Sequence, residues 1–143
     1  MMQKRIKNID EFCKNPIKTQ EKVLDFLISK GRSTAFGQAH HFITINGYAH
    51  FSKNIPIRTY EEFSGFIERA RKGERNVLWP GKIKWFTKSS GTTNAQSKFI
   101  PITQESLKNC HFKGGKDMLS LYGNNFSNVD VYNGKGLMLC GSF

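Results

Sequence analysis

The run Ser89-Ser90-Gly91-Thr92-Thr93-Asn94-Ala95-Gln96-Ser97-Lys98 constrains this chain more than any other stretch. It is wholly polar apart from Ala95 and its single glycine, and it is flanked by apolar runs. Before it stands Ile83-Lys84-Trp85-Phe86-Thr87, and after it Phe99-Ile100-Pro101-Ile102. Aromatic and β-branched residues of this kind favour pleated backbone, so the spacing predicts a strand over 83–87, a polar loop, and a short strand over 99–102. Pro101 has no N–H to give to a ladder, which puts the second strand at an edge or at a strand end.

Four alcohol side chains and one glycine fall within residues 89–93. Such a loop can aim several O–H and backbone N–H donors at a single anion. Gly91 permits close approach of the backbone and a positive φ, and consecutive N–H groups can form a concave anion nest. Lys98 adds a mobile point charge suited to phosphate. Asn94 tolerates the left-handed region where a second turn is required. The competing reading is a plain surface turn, for which the same residue types are favoured. A Walker A loop is excluded, because Gln96 stands where that pattern needs its lysine-bearing end.

Charge points the same way. The chain has 22 Lys and Arg against 11 Asp and Glu, a net +11. Such a balance attracts nucleic acid, acidic membranes or nucleotide phosphates. Most of the charge is dispersed, but no acidic residue occurs over 75–104, where Lys82, Lys84, Lys88 and Lys98 all fall. A small basic nucleic-acid-binding module is the alternative, with Lys84-Trp85-Phe86-Thr87-Lys88 as a basic and aromatic interleave.

The length of 143 residues fits about one domain, and 38% hydrophobic residues with 12 Phe and 2 Trp can build a core. Apolar spacing predicts helices over 4–14 and 16–30, with Asn15 as N-cap, Pro16 at the first position and Gly31 as a left-handed terminator. Residues 37–54 lack periodicity and are expected to be loop. Thr59-Tyr60-Glu61-Glu62 reads as a capping box opening a helix with Phe63, Phe66, Ile67 and Ala70 on its core face and Gly73 at its end. Thr103 caps a fourth helix running to about Tyr122 along Leu107, Cys110, Met118, Leu119 and Tyr122. Gly114-Gly115 in its middle costs about 1 kcal/mol per glycine, which implies close approach by another backbone or a ligand. Residues 124–133 are expected to be a turn-rich loop and 136–140 a buried strand.

Cys13, Cys110 and Cys140 are widely spaced and form no CxxC pair, so reduced thiols are expected. His40, His41 and His50 lack the spacing of metal ligands, and no metal site is expected. The start carries no apolar signal segment, and a cytoplasmic protein is the expectation.

Ser-Ser-Gly-Thr-Thr followed by Lys between two strands resembles the phosphate-binding loop of the adenylate-forming superfamily. Ile55-Pro56-Ile57, Tyr60-Glu61, Gly73-Glu74, Val77-Leu78-Trp79-Pro80, Ile83-Lys84-Trp85-Phe86 and Lys98-Phe99-Ile100-Pro101 occur in that order. This set resembles the Gretchen Hagen auxin-responsive family of acyl-acid-amido synthetases, and its bacterial members more than its plant ones. The loop departs from the commonest superfamily form, with Asn94 where many members have Gly and Ser97 where many have Pro.

The resemblance implies a mixed α/β (α+β) fold, with helices followed by a strand–phosphate-loop–strand hairpin and further α/β structure. Residues 1–143 would be the N-terminal portion of a large ATP-binding domain, incomplete and without the family's C-terminal domain. It also implies ATP, with Mg2+ carried on it, activating a carboxylic acid as acyl-adenylate before an amine or amino acid forms an amide. Ser89, Ser90, Gly91, Thr92, Thr93, Asn94 and Lys98 would hold the phosphates. His111, Phe112 and Gly114 are candidates to border the acyl pocket, although the plainer structural reading is the stronger for each, His111 as a helix-surface or hydrogen-bonded core histidine. The implied partners are small molecules and the remainder of a parent chain, rather than nucleic acid or membrane. The piece alone is expected to be inactive, and a non-catalytic relic of the family is a further alternative.

Overall fold

A computed structural model describes residues 2–89, 97–126 and 133–135. The expected strand over 136–140 lies outside them, as does most of the expected loop over 124–133.

The chain opens with two helices, α1 (Met2–Lys14) and α2 (Pro16–Gly31). Pro16 takes the first helical position as expected, but Asn15 does not cap α2 through its side chain. Its amide instead donates to Glu11 Oε1 at 2.6 Å, binding the junction to the end of α1. Gly31 is not a left-handed terminator either, since Arg32 continues in right-handed geometry. Its lack of a side chain serves packing: a Cβ there would stand 2.9 Å from two carbons of the Phe42 ring.

Residues 37–54, expected to be loop, are largely helical. They hold most of α3 (Ala35–Ala39), a 3-10 turn (Phe42–Thr44) and α4 (Gly47–Asn54). These pieces are too short to show a hydrophobic period, and their order comes from tertiary contacts. Thr34 is 1% exposed. Its hydroxyl donates to the Gly31 carbonyl at 2.7 Å and accepts from the Gly37 N–H at 3.0 Å, so one side chain ends α2 and caps α3. A Cβ on Gly37 would lie 2.0 Å from the Gly31 carbonyl oxygen, a contact only glycine avoids.

The next helix, α5 (Tyr60–Arg71), forms as its capping box predicts, and Gly73 follows it with φ +90°. Beyond it the backbone of Asn76 folds back on Gly81: the Asn76 N–H donates to the Gly81 carbonyl at 2.8 Å, and Asn76 Oδ1 accepts from the Gly81 N–H at 2.6 Å. This closed loop supplies the carbonyls of Asn76 and Val77 to the first N–H groups of α3, at 2.7 and 3.0 Å. Those donors have no intrahelical acceptors, and the loop satisfies them from outside the helix.

Two apolar clusters result. Ile28, Phe42 and Ile45 form one with Leu24, Phe36, Phe51 and Ile55 against them. Ala70, Val77 and Ile83 form the other with Phe66, Leu78, Trp79 and Phe86. Phe36 joins them, edge-on to Phe42 at 5.8 Å and to Phe66 at 5.4 Å, and stacked on Phe63 at 5.3 Å.

A two-stranded antiparallel sheet follows, β1 (Trp85–Lys88) with β2 (Phe99–Ile102), in the register Trp85↔Ile102 to Lys88↔Phe99. The first strand starts two residues later than expected, because Ile83 is drawn into the second core instead. Thr103 then caps α6 (Gln104–Ser106), and a π turn (Leu107–His111) leads into α7 (Phe112–Asn125). The wider turn offsets later side chains by one residue, about 100° around the axis. The expected apolar stripe is not buried: Cys110, Met118 and Tyr122 are exposed, and Ser120 is the buried residue of α7. Helix α7 packs on α1 in the opposite direction, with Arg5 paired to Asp117 and Lys113 over the Phe12 ring.

The two glycines Gly37 and Gly65 should answer alanine with opposite signs. Gly37→Ala is expected to lose about 3 kcal/mol by overpacking against Gly31, whereas Gly65→Ala, with open space around it, should gain up to about 1 kcal/mol of helix stability. Urea unfolding monitored by circular dichroism measures both; equal effects would contradict the α2–α3 contact.

Candidate functional site

The hairpin stem is closed where its polar loop begins and ends. The Ser89 N–H donates to the Lys98 carbonyl at 2.9 Å, and Ser89 Oγ accepts from the Lys98 N–H at 3.0 Å. Residues 90–96 lie outside the described residues, so Ser90, Gly91, Thr92, Thr93 and Asn94 are not placed. Ser89 and Lys98, the two ends of the expected site, face each other across the mouth.

The Ser89–Lys98 pair sets the alternation of the antiparallel ladder, which turns the main chain of Phe99 and Pro101 away from β1. That outer edge is closed in two ways. Pro101 has no N–H to expose. Phe99 is held by Tyr60 at the start of α5: the Phe99 N–H donates to the Tyr60 hydroxyl oxygen at 2.8 Å, and that hydroxyl donates to the Phe99 carbonyl at 3.3 Å. The Arg71 guanidinium lies over the Phe99 ring, 3.7 Å from its centre. Helix α5 thus grips β2 from both of its ends.

The same helix start reaches the ammonium of Lys98. Glu61 Oε1 lies 2.9 Å from Lys98 Nζ, and the Tyr60 ring centre 4.9 Å from it. The hydrogen bond from Lys98, with a second from its own backbone N–H, holds the Glu61 carboxyl below the usual carboxylate range. Glu62 beside it is lowered by the Thr59 backbone N–H and then the Thr59 hydroxyl, which is the capping box seen electrostatically. The segment without acidic residues therefore receives a carboxylate at its lysine from another element.

His111, Phe112 and Gly114 come together. With Lys108, Gly115 and Leu119 they line an open groove of about 790 Å³ along the π turn and α7. Neither Gly114 nor Gly115 has an atom within 4 Å of where a Cβ would stand. The expected close backbone approach is thus not made by any described part of this chain, and the bare strip faces the groove. His111 is exposed, with its ring 5.4 Å from that of Phe112.

Sequence reasoning missed the roles of Tyr60 and Glu61 at the loop mouth, and of Lys108 in the groove. The capping pattern marked Tyr60 and Glu61 as the first turn of a helix, but the partner of Tyr60 is 39 residues downstream. No local spacing carries that information. Among the described residues no helix is long and apolar enough to cross a membrane.

The GH3 family N-terminal domain matches residues 5–142. An indole-3-acetic acid-amido synthetase of Arabidopsis thaliana, GH3.2, is 30% identical over 105 residues, 73% of this chain and 19% of that protein. A jasmonoyl–L-amino acid synthetase of Nicotiana attenuata, JAR6, is 26% identical over 107 residues, 74% of this chain and 18% of that protein. Among solved structures, the GH3.15 acyl acid amido synthetase superposes with a TM-score of 0.73 at 25% identity, over 83% of this chain and 21% of the other. The chain thus spans about a fifth of the length of these relatives, and its helices and small antiparallel sheet match their N-terminal region. With a family match running from Arg5 almost to the last residue, the chain belongs to the GH3 family.

Proposed function

We propose that this chain supplies the triphosphate grip and one wall of the acid pocket of an ATP-dependent acyl-acid amido synthetase. The observation that carries the reading is the closed hairpin mouth: the Ser89 N–H and hydroxyl oxygen bond the carbonyl and N–H of Lys98, and the Lys98 side chain stands at the rim, 41% exposed. The hydrogen-bonded base fixes the two ends of the polar run, Ser89 and Lys98, and donors held in place before reaction are what stabilising charge on a leaving group requires.

In this reading a carboxylate oxygen of the acid attacks the α-phosphorus of ATP, and the bond to pyrophosphate breaks. The loop over 89–98 holds the β- and γ-phosphates, and Lys98 neutralises charge on the departing pyrophosphate. Ser89, Ser90, Thr92 and Thr93 donate hydroxyl or backbone hydrogen bonds. Mg2+ enters on the triphosphate, whose oxygens are its preferred ligands; Glu61 is already engaged by Lys98, and no step is assigned to the metal. An amine, of an amino acid by analogy with the named relatives, then displaces AMP to form the amide.

The groove on α7 suits a small carboxylic acid. Phe112 and Leu119 offer apolar surface, Lys108 and Lys116 offer cations, and the two glycines leave space. The chain spans about a fifth of the length of the relatives it matches, so the activity is proposed for a polypeptide of their length that contains it.

Lys98→Met in the complete polypeptide should lower kcat/KM for ATP by about a hundredfold, in line with removing one preorganised donor to a developing anion. ATP–pyrophosphate exchange measures this, and the same assay on residues 1–143 alone should show none. An unchanged rate in Lys98→Met would remove the assignment. Gly114→Leu should raise KM for the acid at least about tenfold, as expected for a filled pocket, while KM for ATP and the melting temperature stay level. A parallel rise in both KM values would point to a disturbed fold instead.

A further inference from the structure

The contact between Lys98 and Glu61 has a feature that stability does not explain. Both side chains are open to water, at 41% and 69% exposure, and surface pairs of this kind contribute little to folding. Glu61 is not needed to start α5, because Glu62 fills the capping box. Beyond its own backbone N–H and the Thr59 hydroxyl, it reaches the lysine at the loop mouth, its strongest partner. An ammonium has three N–H donors and no acceptor, and a carboxylate oxygen offers it the same kind of acceptor as a phosphate oxygen.

The floor beneath the lysine is fixed. The Tyr60 hydroxyl is engaged by both polar groups of the Phe99 main chain, so the ring under the ammonium cannot follow it. Beside the pair lies a cleft of about 510 Å³, lined also by Glu68, Arg71 and Phe99. The cleft leaves the lysine head space to swing between positions on the same rim. Glu68 does not compete for it, being paired with Arg71 at 2.6 Å.

We propose that Glu61 is a built-in stand-in for phosphate, holding the Lys98 ammonium against Tyr60 in the nucleotide-free protein and yielding it to the triphosphate. The inference rests on the reading of residues 89–98 as the triphosphate grip. Glu61 is here a positioning residue with an opposing effect: every nucleotide that binds must first displace it. The carboxylate keeps the lysine ordered and near the mouth, and it weakens binding in return.

The test is nucleotide affinity in the complete polypeptide, measured by isothermal titration calorimetry with the magnesium complex of α,β-methylene-ATP, which resists cleavage at the reacting bond. Glu61→Gln should bind roughly twofold to fivefold tighter at low ionic strength, the range expected for releasing one exposed ion pair. The gain should fade in 0.5 M salt, on the order of where screening shortens to a few ångströms. In a Lys98→Met background, Glu61→Gln should produce no gain. Unchanged or weaker binding in Glu61→Gln overturns the proposal, since a merely structural role for Glu61 predicts loss. An equal gain with and without Lys98 overturns it as well, because the effect would then be one of general charge. If Lys98→Met alone weakens binding in either case, the triphosphate grip stands while the stand-in falls. If Lys98→Met binds like the unaltered protein, both fall.

Discussion

The hydroxyl of Tyr60, bonded to both polar groups of the Phe99 main chain, ties the first turn of α5 to the outer edge of the hairpin. A two-stranded ribbon standing alone is marginal in water. Here one side chain satisfies an edge that would otherwise be open, and the absent N–H of Pro101 closes the next outward position. The same anchoring sets the Tyr60 ring beneath Lys98 and brings Glu61 to its ammonium. The position of the helix start, fixed by the Thr59 and Glu62 capping box, thereby decides where the lysine of the loop stands.

The remainder of the fold holds α5 and the hairpin in this relation. The loop over 76–81 leads into β1, and its carbonyls receive the first N–H groups of α3. Helix α3 is in turn pressed on the end of α2 through Thr34 and the bare Cα of Gly37. Phe36 spans the two apolar clusters. The loop mouth is thus continuous, through buried hydrogen bonds and ring contacts, with the helical scaffold at the start of the chain.

Features that depend on neighbouring residues were legible in the sequence. The capping boxes at Thr59 and Thr103, the hairpin strands around the polar loop and the helix-ending role of Gly73 all follow from local chemistry. Features that depend on distant partners were hidden. Residues 37–54 are helical because Thr34, Val77 and Phe42 order them, and none of those contacts leaves a period in the sequence. The π turn ahead of the last helix was hidden as well, since it changes the residue count per turn without any marker such as proline. Gly31 reads as a terminator by position, yet its role is to admit the Phe42 ring. Tyr60 and Glu61 were visible as a helix start, while their contacts with Phe99 and Lys98 arise only when the hairpin folds back on α5.

The central claim is that the loop over 89–98, closed at its base by Ser89 and Lys98, clasps the terminal phosphates of ATP. A crystal structure of the complete polypeptide bound to a non-cleavable ATP analogue tests it most directly. The account predicts β- and γ-phosphate oxygens within hydrogen-bonding distance of this loop, with Lys98 Nζ turned from Glu61 toward them. Terminal phosphates bound elsewhere, with the lysine still on Glu61, would contradict it.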